Sequence, residues 1–242
     1  MEFIRDYGSA GYDKAYFDQE RWNYPLASSL GHNFVQVNGE KQLACKLKNQ
    51  PWNENIGGEV LEFRPGTSRD YALLDPSNAY PKKEMKGWRR HIVLDKPVIA
   101  VVLDEVTCAK GAEIEVRFHS AVSQALRNSY ALLNDDRGTM AVIPVVAGDF
   151  TLRPGKHAIL AAQKNASFRQ VPYFGTVVKA GSNTTAIGTI IFPVDDDSEA
   201  REIINSVKRT VDSSGNLTLS FVKDGKTCRY IFKKGKDGLI LE

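Results

Sequence analysis

Two side chains near the amino end of this chain are of types that do chemistry together, the carboxylate of Asp6 and the imidazole of His32. Asp6 closes the short apolar run Phe3-Ile4, with Gly8 two residues on, and His32 follows Gly31 at the mouth of a strand that an Asn38-Gly39 turn ends. A glycine beside each lets the backbone approach closely, because no Cβ stands in the way. Neutral imidazole and carboxylate are both zinc donors, but zinc normally takes four ligands and only two are apparent here. Two readings stay open: part of a zinc site, or a hydrogen-bonded polar pair in a cleft.

Tyrosines form the second constellation. Tyr7, Tyr12, Tyr16 and Tyr24 crowd the first two dozen residues beside Arg21, Trp22 and His32. A phenol transfers protons where a neighbouring cation or metal lowers its pKa, and aromatic rings also stack on sugars. The plainer reading is a set of half-buried β aromatics. His91, His119 and His157 read as hydrogen-bonded sheet histidines. There is no G-x-S-x-G, phosphate-cradling glycine loop or H-E-x-x-H, so serine hydrolases, nucleotide enzymes and zincin proteases lack support. Asp195-Asp196-Asp197 lacks the spaced ligands and turn glycine of a calcium loop and reads as a helix entrance.

The elements that must position these groups are strands. Period-two alternation marks Leu43 to Leu47, Val60 to Phe63, Ile92 to Leu94, Val98 to Leu103, Ile114 to His119, Met140 to Val146 and Ala158 to Ala162. It continues through Gly175 to Ala180, Thr185 to Phe192, Ser206 to Val211, Leu217 to Val222 and Thr227 to Lys233. Turn signals separate them, among them Arg64-Pro65-Gly66, Arg153-Pro154-Gly155 and Asp224-Gly225. Ser198 to Ile204 is the one good helix candidate, and Ser68 to Ala79 is ambiguous. The fold class is therefore all-β, a large antiparallel two-sheet β-sandwich with very little helix. Residues 1–242 read as one domain, with 203–242 a terminal strand extension too short to bury its own core.

Composition narrows the partners. With 42% hydrophobic and 25% charged residues the 242-residue chain is globular, and no apolar run approaches the roughly 20 residues that span a bilayer. Net charge is +3, from 32 basic and 29 acidic residues, too balanced for a nucleic-acid binder. Lys82, Lys83, Lys86, Arg89 and Arg90 form the densest basic cluster, either a solvated strand start or a groove for a polyanion. Cys45, Cys108 and Cys228 are odd in number and widely spaced, which argues against a disulfide framework or a thiolate zinc site.

These residues together resemble the C-terminal β-sandwich portion of the heparinase II/III-like polysaccharide lyases. The likeness rests on Asp6-Tyr7-Gly8 followed by Tyr12, on Arg21-Trp22-Asn23-Tyr24, on Ser29-Leu30-Gly31-His32-Asn33, and on Val37-Asn38-Gly39 with Gln42 after it. Asn78-Ala79-Tyr80, Trp88 to Leu94 and Ile99 to Glu105 extend it. The resemblance implies a C-terminal domain that works with an N-terminal α-helical toroid, the acidic polysaccharide lying between them. It implies β-elimination on a uronic acid residue, with a tyrosine as base or acid, Tyr24 first and Tyr16 second. It implies zinc held by Asp6 and His32 together with an earlier histidine that this chain starts too late to contain, so that the site is incomplete and the chain inactive alone. Arg21, Trp22, Arg89 and Arg90 are the expected substrate-binding residues. A bacterial periplasmic or secreted location and a glycosaminoglycan-like or alginate-like substrate are further implications. The alternative is a non-catalytic carbohydrate-binding or structural sandwich that uses Trp52 and Trp88 as stacking platforms.

Overall fold

The computed structural model describes residues 3–7, 17, 19–44, 53–159, 169–181 and 184–242, backbone only at 158, 159 and 169. Its strands are β1 (Val35–Val37), β2 (Glu59–Arg64), β3 (Arg69–Asp75), β4 (Met85–Asp95), β5 (Ile99–Cys108), β6 (Glu113–His119), β7 (Ser123–Leu126) and β8 (Ala131–Asp135). Then come β9 (Gly138–Val145), β10 (Thr151–Ile159), β11 (Arg169–Lys179), β12 (Thr184–Val194), β13 (Lys208–Val211), β14 (Leu217–Lys223), β15 (Lys226–Lys234) and β16 (Leu239–Leu241). Short 3-10 turns run through Gln19–Asn23, Pro25–Ala27 and Ser29–Gly31, and the α-helix α1 spans Asp197–Ser206.

All pairings are antiparallel. A four-stranded sheet in the order β1-β6-β11-β10 packs on an eight-stranded sheet in the order β2-β3-β4-β5-β12-β9-β8-β7. Alternate residues of each strand face the space between them. Val35, Val37, Ile114, Val116, Phe118 and Phe174 meet Trp88, Val106, Leu133, Val142 and Ile187 there. This is the two-sheet sandwich that the alternation implies.

The terminal strands form a third sheet, β13-β14-β15-β16, which lies on the other face of the eight-stranded sheet. Leu219, Phe221, Tyr230 and Phe232 pack there against Tyr71, Leu103, Ile190 and Phe192, and α1 contributes Ala200 and Ile203. Asp196 caps α1, its carboxylate accepting from the backbone N–H groups of Ser198 and Glu199. Polar bonds stitch the same interface: Tyr71 Oη lies 2.8 Å from His91 Nδ1, His91 Nε2 lies 2.9 Å from Glu105, and Glu105 accepts from the Leu239 N–H. The central sheet is thus buried on both faces, which is why β5 and β12 read as near-continuous apolar runs.

Element boundaries differ from the sequence reading where alternation is masked. The ambiguous Ser68 to Ala79 stretch is β3 followed by a 3-10 turn, Ser77–Ala79. Apolar residues on both faces (Tyr71 and Leu73 inward, Ala72 and Leu74 on the other side) hide its period. The short strands β7, β8 and β16 are too brief to show a pattern, and β10 begins earlier than Ala158 because Arg153, Pro154 and Gly155 continue the strand instead of turning it. Leu43 and Ala44 are irregular, and the remainder of that expected strand lies outside the described residues. Cys108 is a buried free thiol and Cys228 a half-buried one, while Cys45 lies outside the described residues.

Phe221 stacks on Phe192 at 5.4 Å between the third sheet and the central one. Phe221→Ala is expected to lower the unfolding free energy by about 3–5 kcal/mol, from lost transfer energy plus the cavity left behind. Urea denaturation followed by far-ultraviolet circular dichroism measures it.

Candidate functional site

Asp6 and His32 meet. His32 Nδ1 lies 2.6 Å from Asp6 Oδ2, with the side chains 38% and 55% exposed, at the end of β6 where the amino-terminal segment runs past His119. Because an ionised carboxylate only accepts, Nδ1 is the nitrogen that carries a proton, and Nε2 is left facing away from Asp6. The Asp6 segment is not a strand; it is held by single bonds, Arg5 N–H to the His119 carbonyl at 3.0 Å and Tyr7 Oη to the Ser120 carbonyl at 2.7 Å.

Asn33, the residue after His32, is the hub of this arrangement. Its side-chain oxygen accepts from the His119 N–H at 2.7 Å and its amide donates to the Arg5 carbonyl at 3.3 Å, so one side chain ties β6 to the segment carrying Asp6. Its own carbonyl accepts from Arg90 Nη1 at 2.8 Å. Arg90, 8% exposed, forms a two-point pair with Asp104, fully buried, at 2.7 and 3.0 Å, and the Trp88 indole donates to the same carboxylate at 2.7 Å. Tyr80 donates to the Val35 carbonyl at 2.7 Å, bracing β1 from below. Gly31 has a steric cause as well: a Cβ there would stand 2.6 Å from the Pro25 carbonyl oxygen. Asn38 and Gly39 both take positive φ, 51° and 79°, closing the turn after β1 as Asn-Gly predicts.

The outer face of the four-stranded sheet carries a second polar group directly behind the pair. Successive outward positions are Glu115, Arg117 and His119 on β6, Tyr173 and Gly175 on β11, and Arg153, Gly155 and His157 on β10. Arg117 is buried, bonded to Glu115 at 2.9 Å and to Gln36 at 2.8 Å, and stacked 4.0 Å over the Tyr173 ring. Gly155 and Gly175 make room: a Cβ at the first would overlap the Tyr173 ring, and at the second the Glu115 side chain. His157 stacks on Tyr173 at 4.6 Å and takes a bond from Arg117 Nη1 at 3.2 Å. Since guanidinium only donates, His157 Nε2 is the acceptor and its ring is held neutral. Burial, with Arg117 beside it, pulls its pKa from the usual 6.5 to about 4. His119 falls further, to about 3, mainly by burial and then by the nearby His157, Arg117 and His32 charges. Both nitrogens of its fully buried ring lack a hydrogen-bond partner among the described residues. It is therefore not the satisfied sheet histidine that the alternation suggests; it is an orphaned imidazole between Tyr7, His157 and Tyr173.

Of the remaining expected residues, Tyr24 is half-buried and starts the turn Pro25–Ala27, its carbonyl accepting from the Ala27 and Ser28 N–H groups. Tyr16, Tyr12 and Trp52 lie outside the described residues. Trp22, with the Arg21 guanidinium 4.9 Å over its ring, lines a cavity of about 340 Å³ that His32 also walls. Arg89 and Arg90 point to opposite faces of β4 and do not make one basic surface. Arg90 is consumed by Asp104 and Asn33, and Arg89 donates to the Asp237 carbonyl at 2.6 Å toward the third sheet. Trp88, 4% exposed and bonded to Asp104, is not an exposed stacking platform. Tyr7, Tyr173, His119 and His157 as one cluster escape a reading that takes residues singly. The signal was the outward register of Glu115-x-Arg117-x-His119 beside Arg153-x-Gly155-x-His157.

Among the described residues zinc finds two donor side chains at this place, Asp6 and His32, where a structural site takes four. Among the described residues no three histidine, cysteine or acidic side chains gather closely enough to hold a metal ion. Asp6 and His32 are bonded to each other through Nδ1, which leaves that nitrogen unable to ligate a metal. The geometry is that of a carboxylate orienting an imidazole.

An all-antiparallel sandwich with a carboxylate–imidazole pair at its rim defines the class, and comparison with known proteins supplies the family. Residues 1–206 match the heparinase II/III-like C-terminal family, and the chain belongs to it. The fold is similar to that of heparinase III (TM-score 0.67, 13% identity, 96% of this chain and 34% of that one). It is similar also to a heparan sulfate lyase, HepC, from Pedobacter heparinus (TM-score 0.66, 14% identity, 99% of this chain and 34% of that one). The chain thus spans about a third of the length of these solved proteins. A comparison with curated proteins finds no match.

Two outcomes are expected. Arg90→Met strands the Asp104 carboxylate without its partner and is expected to cost about 3–5 kcal/mol, while the double variant Arg90→Met/Asp104→Leu recovers much of it, as read by urea midpoints. The two depressed histidines also make stability depend on pH. Their folded-state pKa values lie below the unfolded 6.5, so the unfolded chain binds more protons and stability is lost as pH falls from about 6.5 toward 4 and 3. Each ring contributes a slope of up to about 1.4 kcal/mol per pH unit in that window, and His119→Phe is expected to remove one such contribution.

Proposed function

We propose that this chain is the sandwich half of a polysaccharide lyase that cleaves uronic-acid-containing glycans by β-elimination, forming one wall of a cleft completed by an α-helical toroid. The observation that carries this reading is the Asp6–His32 contact at 2.6 Å, set at the sheet rim and braced from behind by Asn33 and Arg90. Family membership and the heparinase III fold supply its context.

In the reaction a base takes the proton from C5 of the uronate. The C5–H electrons form the C4=C5 double bond, the C4–O bond breaks, and the departing glycosidic oxygen takes a proton. On this chain, Asp6 fixes the His32 tautomer so that Nε2 is the basic atom beside the cavity, and Tyr24 is the phenol assigned to proton transfer. The buried Arg90–Asp104 pair keeps the His32-Asn33 backbone from yielding as charge develops on the substrate carboxylate. Zinc enters this reading only if further donors come from outside the described residues. The toroid partner, the acidic polysaccharide and a periplasmic or secreted location belong to the same proposal. The burial of Trp88 counts against a binding module that uses it as a platform.

The test uses a protein carrying this chain behind its helical portion. Uronate polymer is expected to yield products with a conjugated, ultraviolet-absorbing C4=C5 bond, one water lighter than hydrolysis products. His32→Ala is expected to lower kcat by about 10²–10⁴, the range of a lost acid–base group. Products carrying the mass of added water would refute elimination.

A further inference from the structure

We infer that the third sheet carries, along its β13 edge, a docking strip for a linear acidic polysaccharide. It is separate from the cavity beside His32 and lies on the far side of the central sheet from it. The choice of a glycan as the polyanion rests on the lyase reading; the strip itself rests on charge and burial. Basic residues are unevenly shared along the chain. Residues 207–242 hold 8 basic against 4 acidic side chains, whereas the rest of the chain holds 24 against 25.

Alternation sorts these side chains. Leu217, Leu219, Phe221, Tyr230 and Phe232 face the central sheet, so Ser220 on β14 and Arg229 on β15 face solvent. Lys208 of β13 pairs in register with Ser220, and Ser220 with Arg229, so two cations flank one hydroxyl in a row across three strands. Two strand spacings set them about 10 Å apart. Thr210 and Thr218 form the next row and add further hydroxyl groups. Among the described residues neither Lys208 nor Arg229 has an acidic partner within salt-bridge distance, and Glu242 is held by Lys233 at 2.8 Å.

Arg209, next to Lys208 on the same strand, calls for an anion. It is half-buried, its Nε is shut off from solvent with no hydrogen-bond partner, and the guanidinium makes no ion pair among the described residues. Burial accordingly pulls its pKa down. An edge lysine such as Lys208 can serve as a guard against stray strand pairing and needs no ligand. A guanidinium that has given up water without gaining an acid is not explained that way, because its desolvation stays uncompensated until an anion arrives. Since β13 is the outermost strand, its two faces meet at a free edge, and a polymer lying over that edge meets Lys208 and Arg209 together. The solvent face of the sheet offers no aromatic ring on which a nucleic-acid base would stack. Cations separated by hydroxyls suit a chain whose anionic groups are separated by hydroxyl-bearing rings. Holding such a chain away from the cleft raises its concentration near the protein, a gain that a short oligosaccharide does not share.

The experiment measures retardation of the 242-residue chain in native gels containing polygalacturonate, dextran sulfate or neutral dextran. Both polyanions are expected to retard it and dextran is not, the tighter of the two showing whether carboxylate or sulfate is preferred. Lys208→Gln/Arg229→Gln is expected to weaken binding about tenfold, the worth of one charge-assisted contact. Arg209→Met is expected to weaken it as well while leaving the thermal midpoint unchanged or raised, because its charge has no partner to strand. A lowered midpoint with binding retained would make Arg209 structural and overturn its part. Lys110→Gln, in the exposed turn between β5 and β6, is expected to change nothing. Equal retardation by dextran, tighter binding of duplex DNA than of either glycan, or unaltered binding by the Lys208→Gln/Arg209→Met/Arg229→Gln variant would each overturn the inference. Binding through this strip with no elimination by the longer protein would refute the lyase reading alone; elimination with polymer affinity unaltered in the triple variant would refute the strip alone.

Discussion

The pair formed by Arg90 and Asp104 sets the geometry of the site. Two opposite charges, held at 2.7 and 3.0 Å between the sheets, would be a poor source of stability on their own, because desolvation offsets most of their attraction. Their value lies in the third bond, from Arg90 to the Asn33 carbonyl. A guanidinium locked in place by a two-point carboxylate has one direction left for its remaining donors, and that direction ends on the backbone between His32 and Phe34. Asn33 then passes the constraint to Arg5 and His119 through its side chain. The exposed Asp6–His32 pair is thereby anchored to the interior of the sandwich by a short chain of charge-assisted bonds.

That dependence explains which parts of the site were legible in the sequence. Asp6 and His32 stood out because each sits beside a glycine, and Gly31 proves necessary for a steric reason, the approach of the Pro25 carbonyl. Arg90 also stood out, but as one of a run of cations. A strand sends neighbouring residues to opposite faces, so Arg89 and Arg90 could never have shared a surface, and the inward member had to find a buried acid. Asp104 is that acid, and its position within an apolar strand was the cue: Asp104 and Glu105 lie between Leu103 and Val106, and a carboxylate there survives burial only when paired. Trp88 follows the same logic, two residues from Arg90 and on the same face.

β3 was obscure because the three-sheet stack leaves it apolar residues on each side, so alternation fades there, whereas β5 and β12, covered in the same way, still read as strands from their Val- and Ile-rich runs. On the four-stranded sheet the difficulty was the reverse. Glu115, Arg117 and His119 alternate cleanly and suggest a wet outer face, yet all three are buried. The 3-10 turns between Gln19 and Gly31 and the Asp6 segment cover them, and such turns carry no period by which to foresee the covering.

That covered face bears on how the site keeps its form. Short turns have little apolar surface with which to adhere to a sheet, so the cover must be attached by polar bonds aimed at particular atoms. His157 and Arg117 show how this is done. Arg117, neutralised by Glu115, donates to His157, and the imidazole in turn bonds the turn backbone at Leu30, one residue before Gly31. Accepting from Arg117 needs the ring neutral, and burial beside a guanidinium keeps it so. The cost of that burial is borne by an unpaired His119 ring next door, the least satisfied polar group behind the Asp6–His32 pair. An orphaned imidazole in this position makes sense if the rim works as a unit. The neutral rings of His119 and His157 add no positive charge behind His32, the imidazole that faces the cavity.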